Sequence, residues 1–264
     1  MTVTDYHPEV VAHRGASAVR AEHTLGAYLD ALDHGADALE CDVRLTADGH
    51  LICVHDRTLR RTAEHRGLVS TMELAELDEL DFAGWKHPWR ELDDEAPDTD
   101  PEHHRVLTLR KLFETVADQD RRVGLAVETK HPTRYSGLVE RRLAELLRDF
   151  GWDGPDSPVR MMSFSLTAVQ RMNRLVPGLP TVLLLDTVRA WTLAQGLMAP
   201  GWLLGPGIDF LREHPRTAKR IAESGHDLHV WTVNTVEDLE LCRGLGVRAV
   251  ITDKPAYLLR LLGR

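Results

Sequence analysis

Three carboxylates, two histidines and two cations stand at the ends of short apolar runs, spaced so that they can share one site. Val10-Val11-Ala12 reads as a buried strand that delivers His13-Arg14-Gly15 at its C-terminal end. Ala38 to Leu45 reads as a second strand. Glu40 and Asp42 lie two residues apart in it and so face one side, with Cys41 and Val43 on the other. Leu51 to Val54 delivers His55-Asp56, and Val123 to Val127 delivers Glu128-Thr129-Lys130. Packing Glu40, Asp42 and Glu128 together is unfavourable without a cation. One hard divalent ion, Mg²⁺ or Ca²⁺, would resolve that with oxygen ligands; the alternative is a set of ion pairs with Arg14, Arg44 and Lys130. His13 and His55 can exchange protons near neutral pH. A histidine pair beside a metal suits general base and general acid work in phosphoryl transfer. Arg14 can grip a phosphate oxygen bidentately, and Lys130 can add a point charge. Trp231 sits at an inward strand position, where it either stacks on substrate or packs in the core. Asp56 and Asp253 either orient active-site groups or cap the next element.

These groups need a scaffold of parallel strands. Thr24 to His34 reads as a helix, with Leu25, Tyr28, Leu29 and Leu32 at helical spacing, so the chain opens as a strand-helix-strand unit. Asp48-Gly49 is a turn signal, and the link to Leu51 is too short for a parallel crossover, so 38–45 and 51–55 read as a hairpin. Residues 57–105 break the rhythm and read as an insertion or lid after His55-Asp56, with a short helix over 71–77, Trp85, Trp89 and a solvated acidic loop from Glu91 to Glu102. Helices are expected at 108–117, 135–150, 165–175, 191–198, 212–224, 236–245 and 254–262. Strands are expected at 159–162, 181–185, 202–204, 228–233 and 249–251. Setting the hairpin arm aside, eight parallel strands alternate with helices over 264 residues, which predicts an α/β fold of the TIM (β/α)8 type in a single domain, 1–264. A doubly wound sheet is the competing fold, but His13-Arg14-Gly15-Ala16 lacks the glycine spacing of a dinucleotide loop.

Composition narrows the partners. Hydrophobic residues make up 43% and charged residues 28%, with a net charge of −9, which argues against nucleic acid and against an anionic membrane surface. Cys41, Cys53 and Cys242 read as buried small hydrophobes without metal-site spacing. The few cysteines, the lack of a signal pattern in the first ten residues and the lack of a membrane-length apolar run predict a cytoplasmic protein without membrane anchoring.

The ordered set of motifs resembles the glycerophosphodiester phosphodiesterase family. The matching pieces are His13-Arg14-Gly15, Glu22-His23-Thr24, Glu40-Cys41-Asp42-Val43, Val54-His55-Asp56, Thr58-Leu59-x-Arg61-Thr62, Glu128-Thr129-Lys130, Ser163-Phe164, Val230-Trp231-Thr232-Val233-Asn234 and Ile251-Thr252-Asp253-Lys254-Pro255. The resemblance implies a TIM barrel and one divalent cation held by Glu40, Asp42 and Glu128. It implies His13 and His55 as the acid/base pair and Arg14 and Lys130 as phosphate contacts. The implied reaction is cleavage of a small-molecule glycerophosphodiester to glycerol 3-phosphate and an alcohol, by way of a cyclic phosphate. Departures from the family pattern are His23 for the usual asparagine, which is either a third titrating residue near the site or, as favoured, a helix-start residue, and Ala21 for a proline. Val106-Leu107-Thr108-Leu109 lacks a proline before its threonine, and Arg248 replaces an aspartate. Two other readings compete. One is a related barrel phospholipase resembling the sphingomyelinase D enzymes, acting on lysophospholipid or sphingomyelin, which an exposed apolar rim would mark. The other is a ligand-binding barrel without turnover, which should have lost a histidine or a metal carboxylate; this chain has lost neither.

Overall fold

The apolar runs do form strands, and their pairing is parallel throughout except at the hairpin. A computed structural model describes residues 6–86, 100–199 and 201–264. The strands are β1 (Glu9–His13), β2 (Ala38–Leu45), β3 (Leu51–Cys53), β4 (Gly124–Thr129), β5 (Val159–Ser163), β6 (Thr181–Leu185), β7 (Leu203–Pro206), β8 (His229–Val230) and β9 (Ala249–Thr252). They are hydrogen-bonded in the order β7-β6-β5-β4-β2-β1-β9-β8, with β3 attached antiparallel to the side of β2. Parallel bridges Leu204↔Leu228 and Gly207↔Trp231 join β7 to β8 and bring the sheet nearly to closure. The result is a TIM barrel of eight parallel strands among the described residues, with helices between them.

Alternation along the strands sorts residues into two cores. Val11, Ala38, Ala126, Met162, Val182, Leu184, Ala249 and Ile251 fill the barrel interior, with Leu203 and Trp231 packed against them. The opposite strand faces, including Val10, Leu39, Cys41, Val43, Leu125, Val127 and Met161, pack under the helices. Each fully buried leucine or methionine there contributes roughly 2–3 kcal/mol. Cys41, Cys53 and Cys242 are buried free thiols.

Helix starts follow capping chemistry. Thr24, Thr108, Ser165, Thr187 and Thr235 each accept a bond from a backbone N–H one turn on, opening α1 (Leu25–Asp33), α3 (Leu109–Ala117), α5 (Leu166–Leu175), α6 (Val188–Ala194) and α9 (Val236–Gly244). Some boundaries differ from the sequence reading. The helix expected from Tyr135 begins at Leu138, because Ser136 takes a left-handed φ of 49°. The helix expected at 191–198 is α6, set earlier by its Thr187 cap. The helix expected at 212–224 is two, Ile208–Glu213 and Pro215–Ala222, because a proline cannot continue a helix but suits its first position. The strand expected at 228–233 is regular only over β8.

Within the 57–105 segment, α2 (Leu74–Asp78) and short 3₁₀ turns pack Leu59, Val69, Leu77 and Phe82 on Ile52, Val54 and Val106. This small core holds the segment against the hairpin, and Lys86 Nζ donates to the Ser17 carbonyl at 2.9 Å. Trp89, His87 and the acidic run up to residue 99 lie outside the described residues.

Candidate active site

Strand register brings the predicted groups together at the C-terminal mouth of the barrel. His13 is the direct neighbour of Glu40, and Asp42 that of Glu128. Side chains of Glu40, Asp42 and Glu128 are buried, and each offers a carboxylate oxygen within 4.8 Å of the other two. Three oxygen donors this close could hold a hard divalent ion. Burial and the neighbouring Asp42 push Glu128 up to about 8, and burial and Asp42 also raise Glu40 well above the usual carboxylate range. Burial acts on Asp42 in the same direction, but Lys130, His23 and Arg14 outweigh it and hold that carboxyl well below its ordinary value.

The cations sit inside this cluster. Lys130 Nζ lies 2.8 Å from Asp42 Oδ1 and 2.7 Å from Glu128 Oε1. Arg14 Nε lies 3.0 Å from Asp42 Oδ2, and the Arg14 backbone N–H donates to Glu40 Oε2 at 3.1 Å. Arg44, the third cation considered, instead donates to the His55 carbonyl at 2.8 Å. The carboxylates that could hold an ion are thus the same ones that carry the ion pairs with Arg14 and Lys130.

Each of the two histidines has its own carboxylate. His13 Nδ1 lies 2.6 Å from Asp253 Oδ1, which also accepts from Ser17 Oγ, while Asp253 Oδ2 accepts from Asn234 Nδ2 at 2.7 Å. Burial works against ionisation of Asp253, but the His13 bond reverses that and brings it to about 2. An ionised Asp253 requires the proton on His13 Nδ1, which leaves Nε2, 4.0 Å from Glu40 Oε2, facing the carboxylate cluster. His55 Nδ1 lies 2.7 Å from Asp56 Oδ1 in the same way. Asp56 and Asp253 are therefore orienting groups.

Gly15 is required where it stands. Its φ is +84°, and a Cβ there would lie 2.6 Å from the Ala27 carbonyl carbon.

Trp231 packs against the barrel core, one of the two roles its position allows. Its indole N–H donates to the Gly205 carbonyl at 2.8 Å, and the ring is half-buried over the barrel interior. The remaining face meets Phe164 edge-on, centroids 5.4 Å apart.

His23 has two readings from sequence, a helix-start residue, the one favoured, or a third titrating residue near the site, and the structure places its ring at the site. It does precede the Thr24 cap, but its ring is buried, with Nε2 2.9 Å from Asp42 Oδ2 and Nδ1 2.9 Å from the Tyr28 hydroxyl. Its φ of 62° is one that histidine and asparagine tolerate better than most residues. Glu22, part of the Glu22-His23-Thr24 motif, sits beside it. Its carboxylate is gripped by Arg61 at 2.7 Å on each oxygen and by Arg14 at 3.0 Å.

Burial opposes ionisation of Glu22, yet the Arg61 bonds, with His23 and Arg14, bring its pKa from 4.5 to about 2. A carboxylate with a depressed folded-state pKa stabilises the fold above its unfolded value and loses that contribution as pH falls through the folded value. Here the window runs from pH 4.5 down to about 2, and the contribution is on the order of 3 kcal/mol. Glu22→Gln should therefore be less stable than the parent at pH 7, with the gap closing toward pH 2 in urea titrations. A gap that does not change with pH would rule out charge pairing as its cause.

The chain is similar to known proteins over nearly its whole length. Residues 13–257 match the model of the glycerophosphoryl diester phosphodiesterase family. A Mycobacterium tuberculosis protein named "Probable glycerophosphodiester phosphodiesterase 1" is 48% identical over 253 residues, covering 94% of this chain and 90% of that one. A Bacillus subtilis glycerophosphodiester phosphodiesterase is 30% identical, covering 93% and 83%. The crystal structure of a glycerophosphodiester phosphodiesterase from Agrobacterium tumefaciens superposes with a TM-score of 0.69 at 25% identity, covering 97% and 99%. That of an Oleispira antarctica phosphodiesterase, in complex with its product sn-glycerol-3-phosphate, superposes with a TM-score of 0.81 at 23% identity, covering 99% of each chain.

Proposed function

The chain belongs to the glycerophosphoryl diester phosphodiesterase family and is a phosphoric diester hydrolase, and on that premise we propose that it cleaves glycerophosphodiesters to glycerol 3-phosphate and an alcohol by metal-assisted histidine acid/base catalysis. The observation that carries the reading is that both carboxylate-paired histidines lie beside one carboxylate cluster, His13 with Nε2 4.0 Å from Glu40 and His55 within electrostatic reach of Asp42, Lys130 and Arg14.

The donor set fits one divalent cation: three buried carboxylates, oxygen only, with their oxygens within 4.8 Å of each other. Glu40, Asp42 and Glu128 would hold it, and when bound it would neutralise charge building on the phosphoryl oxygens. The protein's own residues do the rest. Arg14 and Lys130 bind the phosphate, turning from the carboxylates they pair with toward the incoming anion. One histidine accepts the proton of the free glycerol hydroxyl as its oxygen bonds to phosphorus. The other gives a proton to the departing alcohol oxygen as the second P–O bond breaks. Water then opens the resulting cyclic phosphate with the two histidine roles exchanged. The half-buried Trp231 and exposed Phe164 offer an apolar wall to the substrate.

One observation favours a second substrate class. Exposed Val19, Phe164, Val188 and Val236 follow the C-terminal ends of β1, β5, β6 and β8, so apolar surface gathers on the catalytic side of the barrel. Such a rim suits lysophospholipid or sphingomyelin. No helix among the described residues is long and apolar enough to cross a membrane. The test is release of glycerol 3-phosphate from glycerophosphocholine, measured beside choline release from lysophosphatidylcholine and from sphingomyelin. Faster turnover of glycerophosphocholine is expected. Cleavage of the lipids alone would replace the first reading with the second, and no cleavage of any would overturn both.

A further inference from the structure

Arg61 lies in the 57–105 segment, and nothing in the reaction as drawn uses it. Its side chain nonetheless bonds through all three guanidinium nitrogens. Nε donates to Asp56 Oδ2 at 2.8 Å, while Nη1 and Nη2 donate to the two oxygens of Glu22, each at 2.7 Å. Asp56 in turn holds His55, and Glu22 holds Arg14, whose Nε faces Asp42. The two histidines are thus fixed by different devices. His13 stands on β1, with a side chain 17% exposed, and its partner Asp253 is tied down by Ser17 and Asn234 around the barrel rim. His55 follows the short arm β3, its side chain is 37% exposed, and its partner Asp56 is the next residue in the same loop. A neighbour in one loop cannot fix the loop itself. Arg44 Nε holds the His55 backbone carbonyl at 2.8 Å, and Arg61 holds the partner carboxylate, because its fork ties Asp56 to Glu22, which precedes the first helix of the barrel.

We propose that Arg61 and Glu22 are positioning residues for His55: they act through Asp56 to hold its Nε2 toward the barrel mouth. This rests on the reading of His55 as one of the acid/base pair. The Arg61 guanidinium also lies 5.8 Å from the centre of the Trp85 ring, so the brace anchors the inserted segment to the catalytic face. A small misplacement of a catalytic group costs on the order of a hundredfold in rate, and the brace acts on geometry, so its loss falls on kcat and not on substrate binding.

Arg61 is the cleaner probe, because Glu22 also touches Arg14. Arg61→Met should lower kcat about ten- to a hundredfold with KM held within about twofold. Arg61→Lys, which keeps the charge but not the fork, should recover little of the loss. In an Asp56→Asn background the same Arg61→Met change should cost less than about threefold more, because the two act in one chain. Imidazole ¹⁵N spectra should show the His55 Nδ1–H form giving way to a tautomer mixture in Arg61→Met while the His13 signals stay put. Wild-type kcat in Arg61→Met, a loss confined to KM, or full multiplication of the two losses would each overturn the brace. His55→Ala separates this from the underlying reading. Near-normal turnover in His55→Ala sinks the acid/base assignment, whereas an inactive His55→Ala beside a fully active Arg61→Met sinks only the brace.

Discussion

Alanine at His13 or at His55 should cut turnover of glycerophosphocholine by roughly 10²–10⁴-fold, the range that one general acid or base supplies, which corresponds to about 3–5 kcal/mol of transition-state stabilisation. The fold should survive both changes, for a reason visible in the partners left behind. Asp253 without His13 keeps its bonds from Ser17 and Asn234. Asp56 without His55 keeps its bond from Arg61. Neither variant strands a buried, unpaired charge, which is the usual cause of large destabilisation at a site of this kind. Circular dichroism and a urea midpoint near the parent's would confirm this, and the kinetic loss can then be assigned to chemistry. If both variants turned over at near-normal rates, the acid/base assignment would be wrong. If His13→Ala alone lost activity, the chemistry would need a second proton carrier other than His55.

The sequence reading reached these histidines because their chemistry is local. A strand of alternating residues fixes which side chains share a face, so Glu40 beside Asp42 and Glu128 beside Lys130 follow from spacing of two alone. The barrel is legible in the same way, as apolar strand runs alternating with helices opened by serine or threonine caps. What was not legible depends on distances through space. A place near the site is one of the two readings His23 allows, but nothing in its neighbours says that its ring reaches Asp42, 19 residues on. Arg61 reaching Glu22 across 39 residues is the same case, with only a shared motif pattern as a signal. The helix misread at 212–224 was legible: Pro215 sits in its middle, and a proline there ends one helix and starts another.

Removing the divalent ion with a chelator should abolish turnover, and adding back Mg²⁺ or Ca²⁺ should restore it; replacing a ligand tests where the ion sits. Asp42 is a poor choice for that test, because His23, Arg14 and Lys130 all depend on its charge. Glu128 is better. Its side chain is buried and its charged partner Lys130 remains paired with Asp42 when Glu128 loses its charge. Glu128→Gln keeps the shape and one oxygen donor but removes one of the three carboxylates that could charge-balance a bound cation. The metal concentration for half-activation should rise on the order of a hundredfold, as affinity for such ions follows the charge of the ligand set. Calorimetric titration of the metal alone reads the same shift without turnover. An unchanged titration would remove Glu128 from the ligand set and leave its carboxylate as a partner of Lys130. A lost titration together with unchanged activity would remove the ion from the reaction, and the charge on the phosphoryl oxygens would then fall to Arg14 and Lys130 alone, the two cations already lodged among these carboxylates.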